Sequence, residues 1–211
     1  MNLLGKPTIE FCEQAGAGLI KRPFYALSNI AYIFVGFLIL SKKTRFSKIF
    51  GLTALFIGLA SFLYDASYTY ISQLVDLLGM LIFINVLIFL SARLYFTKVS
   101  KQILVILQAL AVVFGMLAII YYKSFAGEFV FGTFIVVEIL LQFLLYKEGR
   151  VKNSRLWMYG LGLFLFGFGI WLLDASHLLC DPTNILNGRS VFHLLTSGSI
   201  YYLYKYFEDQ S

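Results

Sequence analysis

The sequence predicts an all-α integral membrane protein, in which residues 1–211 form one domain of seven transmembrane helices. Of its 211 residues, 60% are hydrophobic and only 13% are charged, and the mean hydropathy is +0.82. A soluble domain has about 25% charged residues, so this chain cannot cover a water-facing surface. The composition also excludes a disordered chain, which requires low hydrophobicity and high net charge.

Clusters of charged residues divide the chain into seven apolar stretches, each near the roughly 17–25 residues that cross a bilayer. The stretches run near Pro23–Leu40, Ile49–Tyr64, Ile71–Ala92, Gln102–Tyr122, Phe125–Tyr146, Leu156–Leu173 and Ser190–Tyr206. The runs are continuous and do not alternate as outer-membrane strands do, which predicts helices. The second stretch is short for a span unless its helix continues past Asp65 toward Tyr70. The first twenty residues lack a basic start followed by an apolar core, so we expect no cleaved signal peptide.

The distribution of basic residues predicts the orientation of the chain. Twelve of the seventeen fall after spans one, three and five or in the C-terminal part: Lys42, Lys43, Arg45, Lys48, Arg93, Lys98, Lys101, Lys147, Arg150, Lys152, Arg155 and Lys205. The other five are Lys6, Lys21, Arg22, Lys123 and Arg189. The positive-inside rule therefore places the N-terminus outside and the C-terminus in the cytoplasm. It also explains the net charge of +6 without a nucleic-acid partner; the expected partner is membrane lipid.

Charged side chains inside spans cost roughly 2.5–3.5 kcal/mol on insertion scales, which makes them candidates for function. Ser61 and Asp65 lie one helical turn apart at the outer end of the second span, and Asp76 lies near the start of the third. Arg189 and His193 are separated by the same spacing at the start of the seventh span. Residues four positions apart share a helix face. We therefore expect these five side chains in one cavity at the non-cytoplasmic end of the bundle.

Two interpretations of this cluster are consistent with the spacing. Carboxylates, an imidazole and a hydroxyl in a pocket of low dielectric can build a metal site or an acid–base site. Alternatively, Arg189 bridges Asp65 and Asp76 and only holds the helices together. Glu138 lies near the middle of the fifth span, apart from the cluster. It is either a protonated carboxyl that hydrogen-bonds a neighbouring helix or a group that conducts protons or ions.

The two cysteines are predicted on the same side of the membrane. Cys12 lies before the first span and Cys180 lies between spans six and seven. Two thiols in an oxidising compartment can pair, which would tie the N-terminal segment to the last loop. The alternative is two unrelated free thiols.

Short motifs along nearly the whole chain resemble a known family. They are Glu10-Phe-Cys12-Glu13, Arg22-Pro23, Leu27-Ser28-Asn29, Ser61-xxx-Asp65 followed by Asp76, Trp171-Leu-Leu-Asp174, Cys180-Asp-Pro and Arg189-Ser-Val-Phe-His193. Their order and spacing resemble the alkaline ceramidases, seven-helix membrane hydrolases related to the adiponectin- and progestin-receptor group. The resemblance extends from about residue 8 to residue 206.

This resemblance implies a zinc-dependent reaction that splits ceramide into a sphingoid base and a fatty acid. The family holds zinc with a Ser-xxx-His and a His-xxx-His, and an aspartate eleven residues after the first histidine orients the attacking water. Ser61, Asp76 and His193 match these positions. The resemblance thus implies catalytic roles for Ser61 and Asp76, whereas Asp65 and Arg189 stand where two zinc histidines are expected.

The resemblance also implies a Cys12–Cys180 disulfide and an N-terminal calcium site. Glu10 and Glu13 match the acidic run of that site, but Arg22 stands in place of a ligating glutamate, so we do not expect calcium. A guanidinium cannot ligate a metal, but it can replace a metal's charge between carboxylates. Because both metal sites have gained an arginine, we hypothesise a metal-poor or metal-free variant of the fold.

Two functions of different class follow. The first is a hydrolase of lipid amides, in which zinc is held by Asp65 and His193, with His177 of the outer loop as a weaker candidate ligand. The second is a non-catalytic relative in which an Asp65–Arg189–Asp76 bridge replaces the metal and the pocket binds a lipid or a partner. The oligomeric state is not indicated by the sequence.

Overall fold

The computed structural model describes residues 3–122, 126–178, 180–182 and 184–210, and the regular structure in this part of the chain is entirely helical. The helices are α1 (Pro23–Ser28), α2 (Ile30–Ser41), α3 (Ser47–Ser67), α4 (Tyr70–Tyr95), α5 (Lys101–Tyr122), α6 (Ala126–Lys147), α7 (Ser154–Ala175) and α8 (Gly188–Gln210). The first two follow each other directly and form one candidate span, Pro23–Ser41. The described residues therefore form seven helical rods, which confirms the predicted all-α class of multi-span membrane proteins.

Six of the seven predicted stretches lie within one of these rods, and the fifth does so from Ala126 onward. The short second stretch continues past Asp65, so α3 has 21 residues and is long enough to cross a bilayer. Phe125, the predicted start of the fifth span, and the basic residue Lys123 lie outside the described residues.

Six of the rods are apolar and long enough to span a membrane, whereas α8 is more polar. The reason lies in its position. The helix packs against α7, α2, α1 and α3, and twelve of its residues are buried. A helix surrounded by other helices needs no apolar surface for lipid, so serine, threonine and tyrosine occur along it. By contrast, α5 and α6 pack on fewer helices and expose apolar side chains.

The direction of α8 follows from its contacts with the two ends of α3. Its first turn carries Arg189, which contacts Asp65 near the end of α3. Near its other end, Glu208 accepts a hydrogen bond from the backbone N–H of Phe46, which immediately precedes α3. Hence α8 runs antiparallel to α3 along its whole length.

The segment before α1 is tied to one end of the bundle. The backbone N–H of Tyr70, at the start of α4, donates to the carbonyl of Gly5 over 2.9 Å. A disulfide joins Cys12 to Cys180 in the loop between α7 and α8, which confirms the predicted pairing. The segment thereby reaches the same end of the bundle as the charged cluster.

Candidate functional site

The centre of the candidate site is the guanidinium of Arg189, which lies between two buried carboxylates. Arg189 Nε lies 3.3 Å from Asp65 Oδ1, and Arg189 Nη2 lies 3.6 Å from Asp76 Oδ2. The three side chains come from the end of α3, the start of α4 and the start of α8. These three helices therefore meet at an ion-paired cluster that is shielded from water.

Asp65 also faces a second arginine. Arg22 is completely buried, and its Nη2 lies 3.9 Å from Asp65 Oδ1. The second carboxylate oxygen, Oδ2, accepts a hydrogen bond of 3.1 Å from the amide of Asn29, which separates α1 from α2. Both oxygens of Asp65 thus have protein partners of positive or hydrogen-bond-donating character.

Aromatic rings enclose both guanidinium groups. The Cζ atoms of Arg22 and Arg189 lie within 6 Å of the same three ring centroids, which belong to Phe11, Tyr25 and Tyr64. Tyr68 adds a fourth ring 4.1 Å from Arg22, and it ends α3 in the left-handed conformation at φ 52°, which bulky residues rarely adopt. Desolvated cation–π contacts contribute about 2 kcal/mol or more, so these rings help to stabilise two buried cations.

The acidic N-terminal segment caps α1. Glu13 Oε1 and Oε2 accept hydrogen bonds from the backbone N–H groups of Phe24 and Tyr25 over 2.9 and 2.8 Å. Burial raises the pKa of Glu13, and these two hydrogen bonds act against that rise. Glu10, by contrast, is exposed. Because the Glu13 oxygens cap a helix and Arg22 lies nearby, the residues present do not fit a calcium ion.

His193 is oriented by Ser28, a residue that the sequence did not single out as part of a site. His193 Nδ1 lies 2.7 Å from Ser28 Oγ, which itself donates to the carbonyl of Tyr25 over 2.7 Å. A hydroxyl has one proton, so when Ser28 donates to Tyr25 it accepts from Nδ1–H, and that tautomer leaves a lone pair on Nε2. The polar pair Ser28-Asn29 inside an apolar stretch was the signal that could have identified both residues.

Ser61 and Asp76 belong to the same arrangement. The Ser61 side chain lies close to the Asp76 carboxylate, and both line one cavity with Arg189 and His193. Thr196 lies one turn further along α8 and hydrogen-bonds Tyr32. The structure therefore brings together all five predicted side chains of the cluster.

The cavity extends from this polar end into the apolar interior of the bundle. Its walls come from the segment before α1 and from α2, α3, α4, α6, α7 and α8, and they include Ile57, Leu77, Met80, Ile84, Leu87, Ile135, Ile139, Leu161 and Phe164. Helix α6 packs on α4 and α5, whereas α7 packs on α8. Side chains of both α6 and α7 line the cavity, and Phe131 of α6 makes an edge-on contact with Phe164 of α7, with ring centroids 6.0 Å apart.

Two predicted residues lie away from the cluster. His177 is exposed in the turn after α7 at φ 58°. Glu138 lines the same cavity, but it hydrogen-bonds Ser91 and Gln142 rather than any member of the cluster.

The donor set does not fit the zinc that the resemblance implies. Zinc requires several O, N or S ligands with free lone pairs around one point. Here a guanidinium, which offers none, lies between the two carboxylates, and a second guanidinium faces Asp65. Within the described ranges, no group of three His, Cys, Asp or Glu side chains is arranged to hold a metal.

The fold and the site define a multi-pass membrane protein with a buried polar cluster at the end of an apolar cavity. Comparison with known protein families matches residues 6–209 to the family described as Ceramidase, and the chain belongs to that family. This confirms the resemblance found in the motifs and supports a ceramidase-like hydrolase at the level of the family. A search of curated proteins found no match.

Proposed function

We propose that this chain is a lipid-binding member of the ceramidase family in which the Asp65–Arg189–Asp76 bridge takes the place of the zinc. The observation that carries the proposal is the position of the Arg189 guanidinium, 3.3 and 3.6 Å from the two carboxylates. An internal cation there balances the negative charge of the carboxylates without a metal.

The charges of the cluster support this interpretation. Arg22 and Arg189 together balance Asp65 and Asp76, so the four side chains sum to zero. A divalent cation would enter a site that is already neutral and would lie within a few ångströms of two guanidinium groups. Repulsion between such charges is strong in a region of low dielectric, so zinc binding would be unfavourable.

The cavity supports a lipid as the ligand. Apolar side chains from several helices line most of its length, whereas polar groups converge at one end, as is usual for sites that bind amphiphilic molecules. Ser61, Arg189 and the free Nε2 of His193 provide both donors and acceptors for a headgroup. An acyl chain enters from the bilayer between α6 and α7, the two lining helices that pack on different neighbours. By the charge asymmetry of the loops, the headgroup end faces the non-cytoplasmic side.

Metal analysis of the purified protein tests the first half of the proposal. Wild-type protein should contain far less than stoichiometric zinc, even after incubation with the metal and removal of the excess. Stoichiometric zinc that is lost in Asp76→Ala or His193→Ala would contradict the proposal that the charge bridge replaces the metal.

Fluorescence quenching tests lipid binding, because Trp157 and Trp171, the only tryptophans of the chain, both line the cavity. An N-acyl lipid with a brominated chain should quench them at low mole fraction in detergent. Ile135→Phe narrows the cavity and should reduce this quenching. Val136→Phe adds the same ring at a position that is 55% exposed, and it should leave the quenching unchanged. Equal quenching in both variants would argue against binding in the cavity.

A second candidate is hydrolysis of a lipid amide, which is favoured by the family match and by the proximity of His193, Ser61 and Asp76 at one end of the cavity. Incubation with a panel of N-acyl lipids, followed by measurement of released fatty acid, distinguishes the two. No release is expected from a charge-bridged binding protein. Release that disappears in His193→Ala would establish hydrolysis instead.

A further inference from the structure

The cavity has a second polar group, at the end remote from the charged cluster. Glu138 of α6 lines the cavity there and is 4% exposed. Ser91 Oγ of α4 and Gln142 Nε2 of α6 donate to its Oε1 over 2.8 and 3.0 Å. The indole of Trp157 approaches the same carboxyl group from α7. Three helices therefore surround one carboxyl group inside the bundle.

The hydrogen bonds around Glu138 converge on one of its two oxygens. Tyr206 of α8 donates to Gln142 Oε1 over 2.6 Å, which turns the Gln142 amide nitrogen toward Ser91 and Glu138. Oε2 of Glu138, although buried, makes no hydrogen bond of regular geometry with any described residue, and the indole N–H of Trp157 forms none with it either. In the same part of the chain, no Lys, Arg or His side chain lies within ion-pair distance of it.

An unpaired buried acceptor is unfavourable, because it has lost its hydrogen bonds to water and gained none in return. Glu138 Oε1 already links α6 to α4 through Ser91, and Gln142 links α6 to α8 through Tyr206. A plain hydrocarbon chain would leave Oε2 unpaired, whereas a ligand that carries a donor would complete its hydrogen bonding.

The distance between the two polar ends indicates where that donor lies on the ligand. Ser91, which contacts Glu138, follows Asp76 by fifteen residues in α4. At a rise of 1.5 Å per residue, the two ends are separated by about 22 Å along the helix axis. A lipid whose headgroup binds at the charged cluster would therefore reach Glu138 with the far part of a long chain.

We propose that Glu138 forms a second polar subsite that selects a lipid bearing a hydroxyl or amino group near the far end of its chain. The donor group hydrogen-bonds Glu138 Oε2, while Ser91 and Gln142 hold the carboxyl group in place. This subsite rests on the proposed function, since it requires a lipid in the cavity.

Affinities for three matched ligands test the subsite on the wild-type protein: palmitamide, ω-hydroxypalmitamide and ω-aminopalmitamide. A hydrogen bond to a carboxyl group in an enclosed site is expected to improve affinity about tenfold. At least one of the two donor-bearing amides should therefore bind about tenfold more tightly than palmitamide, and the better one shows whether the natural donor is neutral or cationic. Equal affinities for all three would overturn the subsite while leaving lipid binding intact, and binding of none would instead contradict the proposed function.

Glu138→Met tests whether the gain in affinity arises at Glu138, because it replaces the acceptor by an apolar side chain of similar length. In this variant the affinity of the preferred donor-bearing amide, divided by that of palmitamide, should fall to about one. A ratio that survives the substitution would overturn the proposal. Should this variant fail to fold, Trp171→Phe leaves Trp157 as the fluorophore beside Glu138, and the preferred ligand should change its emission more than palmitamide does. A preference without any such change would place the donor elsewhere and contradict the subsite.

Discussion

Arg189 is the residue on which the electrostatics of the cluster depend. Its guanidinium is 4% exposed and pairs with two carboxylates from different helices. A buried ion pair need not add net stability over apolar residues, but removal of one partner leaves an uncompensated charge. Asp76 is the more dependent of the two carboxylates, because Asp65 also contacts Arg22 and Asn29.

Replacement of Arg189 should therefore destabilise the protein strongly. We expect Arg189→Met to cost about 3–5 kcal/mol of folding free energy, because both carboxylates lose a buried cation. The midpoint of thermal unfolding in detergent measures the effect. Arg155→Met is the matched control, since it removes an exposed arginine at the start of α7 and should leave the midpoint nearly unchanged. Equal unfolding midpoints for the two variants would show that the ion pairs of Arg189 do not stabilise the fold.

Restoration of the family's histidines should create a zinc site. The Asp65→His/Arg189→His double variant removes the guanidinium between the helices and supplies two imidazoles near His193, which zinc accepts as ligands. We expect it to bind stoichiometric zinc, measured by elemental analysis after gel filtration, whereas Arg155→His should bind none above the wild-type level. A double variant that binds no zinc would mean that Asp65 and Arg189 are not sufficient to explain the loss of the zinc site.

At the scale of elements, the sequence was enough to predict the helices, because charge clusters follow spans one, three and five and the spans themselves are long apolar runs. Contacts made by irregular segments could not be predicted from the sequence. Phe11 precedes the first span, yet its ring lies 4.3 Å from Arg189 Cζ, and Asp174 accepts a hydrogen bond from Tyr25. Helix periodicity says nothing about such pairs, which depend on how the N-terminal segment folds over the bundle.

The junction of α7 and α8 depends on the absence of a side chain at Gly188. A Cβ atom there would lie 2.6 Å from Asp174 Cβ, closer than real contacts allow, and 3.0 Å from the carbonyl oxygen of Ile170. Gly188→Ala should thus lower the unfolding midpoint, with an overpacking cost of about 1–3 kcal/mol. Gly198→Ala in the same helix meets only Leu163, at 3.5 Å, and should be neutral or stabilising because alanine favours helix. A lower unfolding midpoint for Gly198→Ala than for Gly188→Ala would contradict this close packing.

At the scale of the whole molecule, the sequence indicated which polar residues gather at one end of the bundle but not the cavity that connects them to Glu138. The spacing of Ser61, Asp65 and Asp76 determines their helix faces, and chain direction places them at one end. The cavity instead depends on α6 and α7 packing on different neighbours, which is a property of tertiary structure. For the same reason Glu138 showed no partner in the sequence, although Ser91, Gln142 and Trp157 surround it.

The orientation of the chain in the membrane depends on whether α8 crosses the bilayer. The composition of this helix is too polar for a typical membrane span, yet the helix runs antiparallel to α3 from Asp65 to Phe46. Seven crossings place the termini on opposite sides, and the basic loops place the C-terminus in the cytoplasm. Single cysteines at two exposed positions test this, because the native pair is held in a disulfide. An impermeant maleimide should label Lys6→Cys on intact cells and Asp209→Cys only after permeabilisation. Labelling of both from one side would mean that α8 does not cross, and the reverse pattern would invert the predicted topology.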